Sequence, residues 1–107
     1  MVMKIAITST GNSLDSMLDK RFGRCSYFAI LDTETKDVEF VLNPNKEVDE
    51  GAGPASVQLI ASAQVEKIVA SEFGNKIKSL LNELKIQMVI AKDSELSVRE
   101  IIKQLNQ

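Results

Sequence analysis

Residues 67–105 read KIVASEFGNKIKSLLNELKIQMVIAKDSELSVREIIKQL, and their hydrophobic pattern decides the fold. Lys67-Ile68-Val69-Ala70 is a short apolar run of strand character. A helix starts at Gly74 or Asn75, because Ile77, Leu80, Leu81 and Leu84 then recur at i, i+3, i+4 and i+7 and form one apolar stripe. Gln87 to Ala91 gives a second strand. Ser97 and Glu100 have capping-box spacing ahead of Val98, Ile101, Ile102 and Leu105, which marks a C-terminal helix. Strands that alternate with helices in this way require parallel crossovers.

Upstream of this stretch, Pro54 suits a first helical position because its missing N–H has no partner there in any case. Val57, Ile60, Ala61 and Gln64 follow at helical spacing, so a helix is expected over Pro54 to Gln64. Lys46 to Gly53 reads as an acidic, glycine-containing loop, and its part from Glu47 to Pro54 is either a lid or a plain connection. Two β-rich runs, Tyr27 to Leu31 and Val38 to Leu42, flank the polar connection Asp32 to Asp37 and predict an antiparallel hairpin. Asn43-Pro44-Asn45 is a turn signal at its exit. The first strand is expected over Val2 to Thr8, ending at the small polar residues Thr8 to Asn12. Ser13 is placed to cap a short helical turn with Leu14, Met17 and Leu18 on one face.

The expected fold is a single α/β domain over residues 1–107, a mixed five-stranded sheet with an antiparallel hairpin and flanking helices, of ribonuclease-H-like topology. A nuclease on that topology needs clustered carboxylates for metal ions. The first strand has no Asp or Glu, so the nuclease reading is rejected.

Composition narrows the function further. A 44% hydrophobic and 26% charged chain is globular, and a net charge of -2 gives no general attraction for nucleic-acid phosphates. Lys20, Arg21 and Arg24 form the closest basic group, suited to one small anion. The run Ile5-Ala6-Ile7 is too short for a signal-peptide core or a membrane span, so a soluble, cytoplasmic chain without a membrane partner is expected. Cys25 is the sole cysteine and histidine is absent, which excludes an intramolecular disulfide and a conventional zinc site. The same absence removes serine-histidine and cysteine-histidine catalysis, so no enzyme is expected; only residues assembled by the fold, such as Ser9, Asp15 and Lys76, leave one open.

Several segments carry a family resemblance. Lys4-Ile5-Ala6-Ile7, Arg21-Phe22-Gly23-Arg24-Cys25-Ser26-Tyr27-Phe28, Asn43-Pro44-Asn45 and Gly51-Ala52-Gly53-Pro54-Ala55 resemble, in order, the landmarks of the dinitrogenase iron-molybdenum cofactor biosynthesis (NifX-like) family. Glu72-Phe73-Gly74-Asn75-Lys76 resembles that family's later strand-to-helix turn. Members of the family resemble the C-terminal part of NifB and the small carriers of iron-molybdenum cofactor or its iron-sulfur precursor. The resemblance implies transient binding of an iron-sulfur or iron-molybdenum cofactor-like cluster, with iron-sulfur or metallocofactor assembly proteins as partners. Unlike nitrogenase-associated carriers, this chain offers no histidine ligand. A metal-free protein-interaction or regulatory module is the alternative.

Candidate site residues follow from the chemistry such a ligand needs. Cys25 is the one soft ligand, with Arg21 and Arg24 near enough in sequence to lower its pKa and balance an anionic cluster; alternatively it is a small buried hydrophobe. Arg21 and Arg24 offer forked donors to an anion, or pair on the surface with Asp15, Asp19 or Glu72. Gly11-Asn12 and Gly74-Asn75-Lys76 fall at strand-to-helix turns, where an open α/β sheet forms its ligand crevice, although neither has the glycine spacing of a phosphate-binding loop.

Overall fold

The computed structural model describes residues 3–92 and 95–105. Among them the chain forms strands β1 (Lys4–Ser9), β2 (Tyr27–Asp32) and β3 (Val38–Leu42), helix α1 (Ala52–Ser62), strand β4 (Lys67–Ala70), helix α2 (Asn75–Glu83), strand β5 (Gln87–Ile90) and helix α3 (Val98–Leu105). The expected start of the first strand at Val2, and Met1 before it, lie outside the described residues.

The five strands form one sheet in the order β3-β2-β1-β4-β5. β1 pairs antiparallel with β2, and β2 antiparallel with β3, so the hairpin forms as expected. β1 pairs parallel with β4, and β4 with β5. Both sheet faces are covered, which explains why the central strands read as near-continuous apolar runs. On one face Ala6, Phe28, Ile30 and Ile68 pack with Val57 and Ile60 of α1 and Leu81 of α2. On the other, Ile5, Ile7, Ala29, Leu31 and Val69 pack with Val98 and Ile101 of α3.

Local chemistry sets the helix ends. The Ser97 hydroxyl accepts the Glu100 N–H (3.2 Å) and the Glu100 carboxylate accepts the Ser97 N–H (3.1 Å), a reciprocal capping box at the start of α3. α1 starts two residues before Pro54, after Gly51 in the left-handed region (φ 76°). Pro54 still lies in the first turn, where a missing N–H breaks no helical bond. α1 also ends earlier than expected. Gln64 takes φ 63°, and its N–H and that of Val65 donate back to the carbonyls of Ala61 and Ile60. Lys85 (φ 60°) and Ile86 close α2 on Asn82 and Leu81 in the same way. Both helices thus end in Schellman motifs built without glycine, and Val65 and Ile86 are buried beyond them.

The helical turn expected after Ser13 is only a single turn. The Asp15 N–H donates to the Ser13 hydroxyl and the Ser16 N–H to the Ser13 carbonyl. Met17 then bridges Ser97 and Leu18 bridges Ser9, and these extended contacts hold the chain out of a helix. Leu18 is consequently buried while Met17 is 39% exposed, so the two do not share a face.

Candidate functional site

The topology brings several connections to one end of the sheet. β1 and β4 run parallel, so the segments after Ser9 and after Ala70 leave the same end. The antiparallel pairing of Ser9 with Tyr27 and of Tyr27 with Leu42 adds the approach to β2 and the exit from β3. There a cleft of about 390 Å³ is lined by Lys20, Arg21, Phe22, Gly23, Glu72, Phe73, Gly74 and Ile77.

The floor of the cleft is the top of the core. Phe22 and Phe73 are buried, with ring centroids 5.8 Å apart, and Phe22 lies at the same distance from Phe28. Tilted rings at such separations favour edge-to-face contact over parallel stacking. Gly23 lies against the first turn of α1: a Cβ there would lie 2.9 Å from the backbone of Gly53. Only a residue without a side chain permits that approach.

Lys20 and Arg21 are exposed at the rim. Gly74 caps α2 with extended backbone (φ -67°, ψ 156°), no side-chain cap bond, and no acidic residue in the first turn. The first amides of α2 therefore lack intrahelical partners, and no carboxylate within the first turn offsets the positive end of the helix dipole, although Glu72, two residues before Gly74, lines the same cleft.

The residues expected at the site separate into two groups. Arg21 and Gly74 line the cleft, and Asn75 and Lys76 are exposed in the first turn of α2 beside it. Gly11 is occupied locally, its N–H donating to the Ser9 hydroxyl (3.3 Å) and its carbonyl accepting from that hydroxyl (2.6 Å), while Asn12 is exposed. Arg24 turns away and donates to the carbonyls of Lys46 (3.2 Å) and Val48 (2.8 Å). The Lys46 ammonium in turn reaches the Ser26 hydroxyl at 2.8 Å, so the base of the supposed lid is tied down. Ser9, Asp15 and Lys76 are not assembled: Ser9 is bonded to Gly11, Asp15 pairs with Arg99 of α3, and Lys76 belongs to α2 on the other face.

Cys25 requires a correction. It is fully buried against the α1 and α2 face, and its pKa is raised from 9.0 to about 12 rather than lowered. Burial is the main cause and the carboxylate of Asp19 adds to it, while a bond from the Asn43 side chain (3.8 Å to Sγ) opposes them weakly. Arg21 gives no relief because its guanidinium faces Asp19, and Arg24 points elsewhere.

This burial has a measurable consequence. The unfolded thiol ionises near pH 9.0 whereas the folded one stays protonated to about 12, so stability present below pH 9 is lost as pH rises through that interval. The loss approaches about 1.4 kcal/mol per pH unit once the unfolded thiol is ionised. Urea unfolding at pH 8 and pH 10 is expected to show a drop that is about 1.3 kcal/mol larger in wild type than in Cys25→Ala. Equal drops in the two proteins would refute the burial argument.

Sequence reasoning missed the organising residue, Asn43, reading it only as part of a turn. It is 2% exposed. Its amide donates to the carbonyls of Gly23 (3.2 Å) and Cys25 (3.0 Å), and its oxygen accepts from the Asn45 N–H (3.1 Å). Ser56 of α1 adds a bond to the Gly23 carbonyl (3.0 Å), so the rear wall of the cleft is joined to the exit of β3 and to α1.

Among the described residues no three His, Cys, Asp or Glu side chains converge into a metal-binding group, and no helix is long and apolar enough to cross a membrane. The orange protein of Desulfovibrio gigas, solved in its apo form, superposes with a TM-score of 0.89 at 29% identity, over 97% of this chain and 87% of that one. A putative NifB protein from Thermotoga superposes at 0.83 with 34% identity over the same shares. An uncharacterized protein of Methanocaldococcus jannaschii is 32% identical over 95% of this chain and 84% of its own length. The family model for dinitrogenase iron-molybdenum cofactor proteins matches residues 1–107, and the chain belongs to that family.

Proposed function

We propose that the protein is a non-catalytic carrier that holds an anionic, sulfide-bearing metallocluster transiently in the cleft between the Lys20–Gly23 segment and the start of α2. The observation that carries this reading is a pair of cations, Lys20 and Arg21, that outnumber the single carboxylate of the lining, Glu72, over an apolar floor of Phe22, Phe73 and Ile77. A small, strongly hydrated anion pays heavily to leave water for such a floor. A bulky cluster with diffuse charge pays less and meets the guanidinium, the ammonium and the free amides of α2 together.

Lys76 adds charge at the rim in this reading, and the cluster brings its own inner ligands from the assembly protein that delivers it. Cys25 supports the floor from below. The strand order β3-β2-β1-β4-β5 supports a ribonuclease-H-like scaffold, whose carboxyl-end crevice is the favoured ligand position. Family membership and the likeness to a NifB-type protein support an iron-molybdenum or iron-sulfur cargo.

Anaerobic incubation with ferrous iron, sulfide and molybdate, followed by gel filtration, metal analysis and absorption spectra, tests the proposal. Wild type and Cys25→Ala are expected to retain metal equally, and a Lys20→Gln, Arg21→Gln, Lys76→Gln triple variant to lose most of it. Retention should weaken as salt is raised, because exposed charges are screened. The carrier reading fails if wild type retains no metal, or if the triple variant retains as much. Stable capture of a partner that ignores both metal and the triple variant would instead favour the interaction-module reading.

A further inference from the structure

We infer that Asp19 is a positioning residue for the cleft: it holds the Arg21 guanidinium in a fixed orientation at the rim, so that a negative side chain strengthens the binding of a negative ligand. The inference rests on the carrier reading and goes beyond it by assigning a role to a residue that does not line the cleft.

Asp19 is rigid in its own right. Its N–H donates to the Thr8 carbonyl (3.0 Å) at the end of β1, and its carbonyl accepts the Thr8 hydroxyl (2.7 Å). The side chain is 5% exposed, against 57% for that of Arg21. One carboxylate oxygen accepts both the Arg21 N–H (3.0 Å) and its Nε (3.3 Å), while the other accepts Nη2 (3.4 Å). This side-on fork leaves Nη1 and the second Nη2 hydrogen without partners among the described residues, on the exposed side chain of a residue that lines the cleft. An arginine already ordered before the ligand arrives gives up less side-chain entropy on binding. A lysine cannot be held in this way, because an ammonium has no fork to match.

The sign of one substitution separates positioning from simple charge. If Asp19 were only a nearby carboxylate, Asp19→Asn would remove a repulsion and tighten the binding of an anion. If it positions Arg21, the same isosteric change breaks the fork by placing an amide NH₂ against Nη2, and binding weakens. Loss of an outer supporting partner at a metal site typically costs 10- to 100-fold. The expectation here is the lower figure, about tenfold weaker retention of the cluster assembled from ferrous iron, sulfide and molybdate.

The experiment titrates that cluster into wild type, Asp19→Asn, Arg21→Lys, Arg21→Gln and the Asp19→Asn, Arg21→Gln double variant, following the absorption spectrum. Melting of each unloaded protein is recorded alongside. Arg21→Lys keeps the charge on an exposed side chain and does not threaten the fold, and it is expected to bind as weakly as Asp19→Asn. In the Arg21→Gln background, Asp19→Asn is expected to cause no further loss, since nothing remains to be positioned. Unchanged or tighter binding by Asp19→Asn overturns the inference while wild-type binding leaves the carrier reading standing. Wild-type binding by Arg21→Lys overturns it too. Should wild type itself bind no cluster, both fall.

Discussion

Phe22→Ala is expected to lower the stability of the protein by about 3–5 kcal/mol, the usual cost of emptying a buried phenylalanine site. Phe22 is 5% exposed, and its ring contacts those of Phe28 and Phe73, so truncation leaves a void that two aromatic neighbours border. The void cannot readily collapse. On one side Gly23 is held against the backbone of Gly53, and on the other Phe28 is fixed in the sheet. Urea unfolding should show a lower midpoint at unchanged slope, with the thermal midpoint down by more than about 10 °C. Phe22→Leu fills much of the void and is expected to cost about 1–2 kcal/mol. A loss below 1 kcal/mol for Phe22→Ala would mean that the floor of the cleft is not packed as described. Because the ring belongs to both core and cleft, the alanine variant should also carry less cluster at a temperature where it is still folded.

The second large effect is expected at Asn43. Asn43→Ala removes the donor that serves the carbonyls of Gly23 and Cys25, and the acceptor of the Asn45 N–H. Gly23 keeps its bond from Ser56, but the Cys25 carbonyl loses this donor in a buried setting. One buried group stripped of a partner costs about 1–3 kcal/mol, and the lost contacts together suggest about 2–4 kcal/mol. Asn43→Asp sharpens the test through pH. Its carboxylate would face two carbonyl oxygens, so its pKa in the folded state rises above the unfolded value. A raised pKa means that the folded state holds its proton longer, so the Asp variant should be least stable near pH 8 and recover as pH falls toward 5. A variant whose stability relative to wild type is flat between those values would show that Asn43 does not donate to the two carbonyls.

Much of the scaffold was readable because the signals were local. Leu80, Leu81 and Leu84 announced α2 by spacing alone, and Ser97 with Glu100 announced α3 through bonds three residues apart. The hairpin was equally plain, since two β-rich runs flanked a polar connection. Helix ends were less readable because Gln64 and Lys85 adopt left-handed backbone where glycine is the usual signal. The turn after Ser13 misled because Met17 and Leu18 have helical spacing but are claimed by partners far along the chain or on β1.

At the site, Gly74 lines the cleft where a turn at the carboxyl end of a strand is expected to, and Arg21, a candidate for its forked donors, lines it too, whereas Gly11, expected on the same topological ground, is bonded locally. What depends on contacts between distant segments was not legible. Arg24 reaches carbonyls more than twenty positions away, at Lys46 and Val48, and nothing adjacent to it in sequence indicates that direction. Cys25 was readable as a lone soft ligand beside two arginines, yet burial and Asp19 dominate its acidity. The contribution of Phe73 to the floor was equally hidden, since an aromatic beside a turn glycine carries no mark of the ring it will meet.

The burial of the one native sulfhydryl has a practical side. With Cys25 protonated and out of reach, a maleimide dye or spin label offered near neutral pH finds nothing on the folded surface to attack. A cysteine introduced at exposed Lys78 of α2 would therefore become the single labelled position, close to the start of that helix, without first deleting the native one. The protein is in that sense already prepared for watching cargo arrive and leave by fluorescence or paramagnetic resonance.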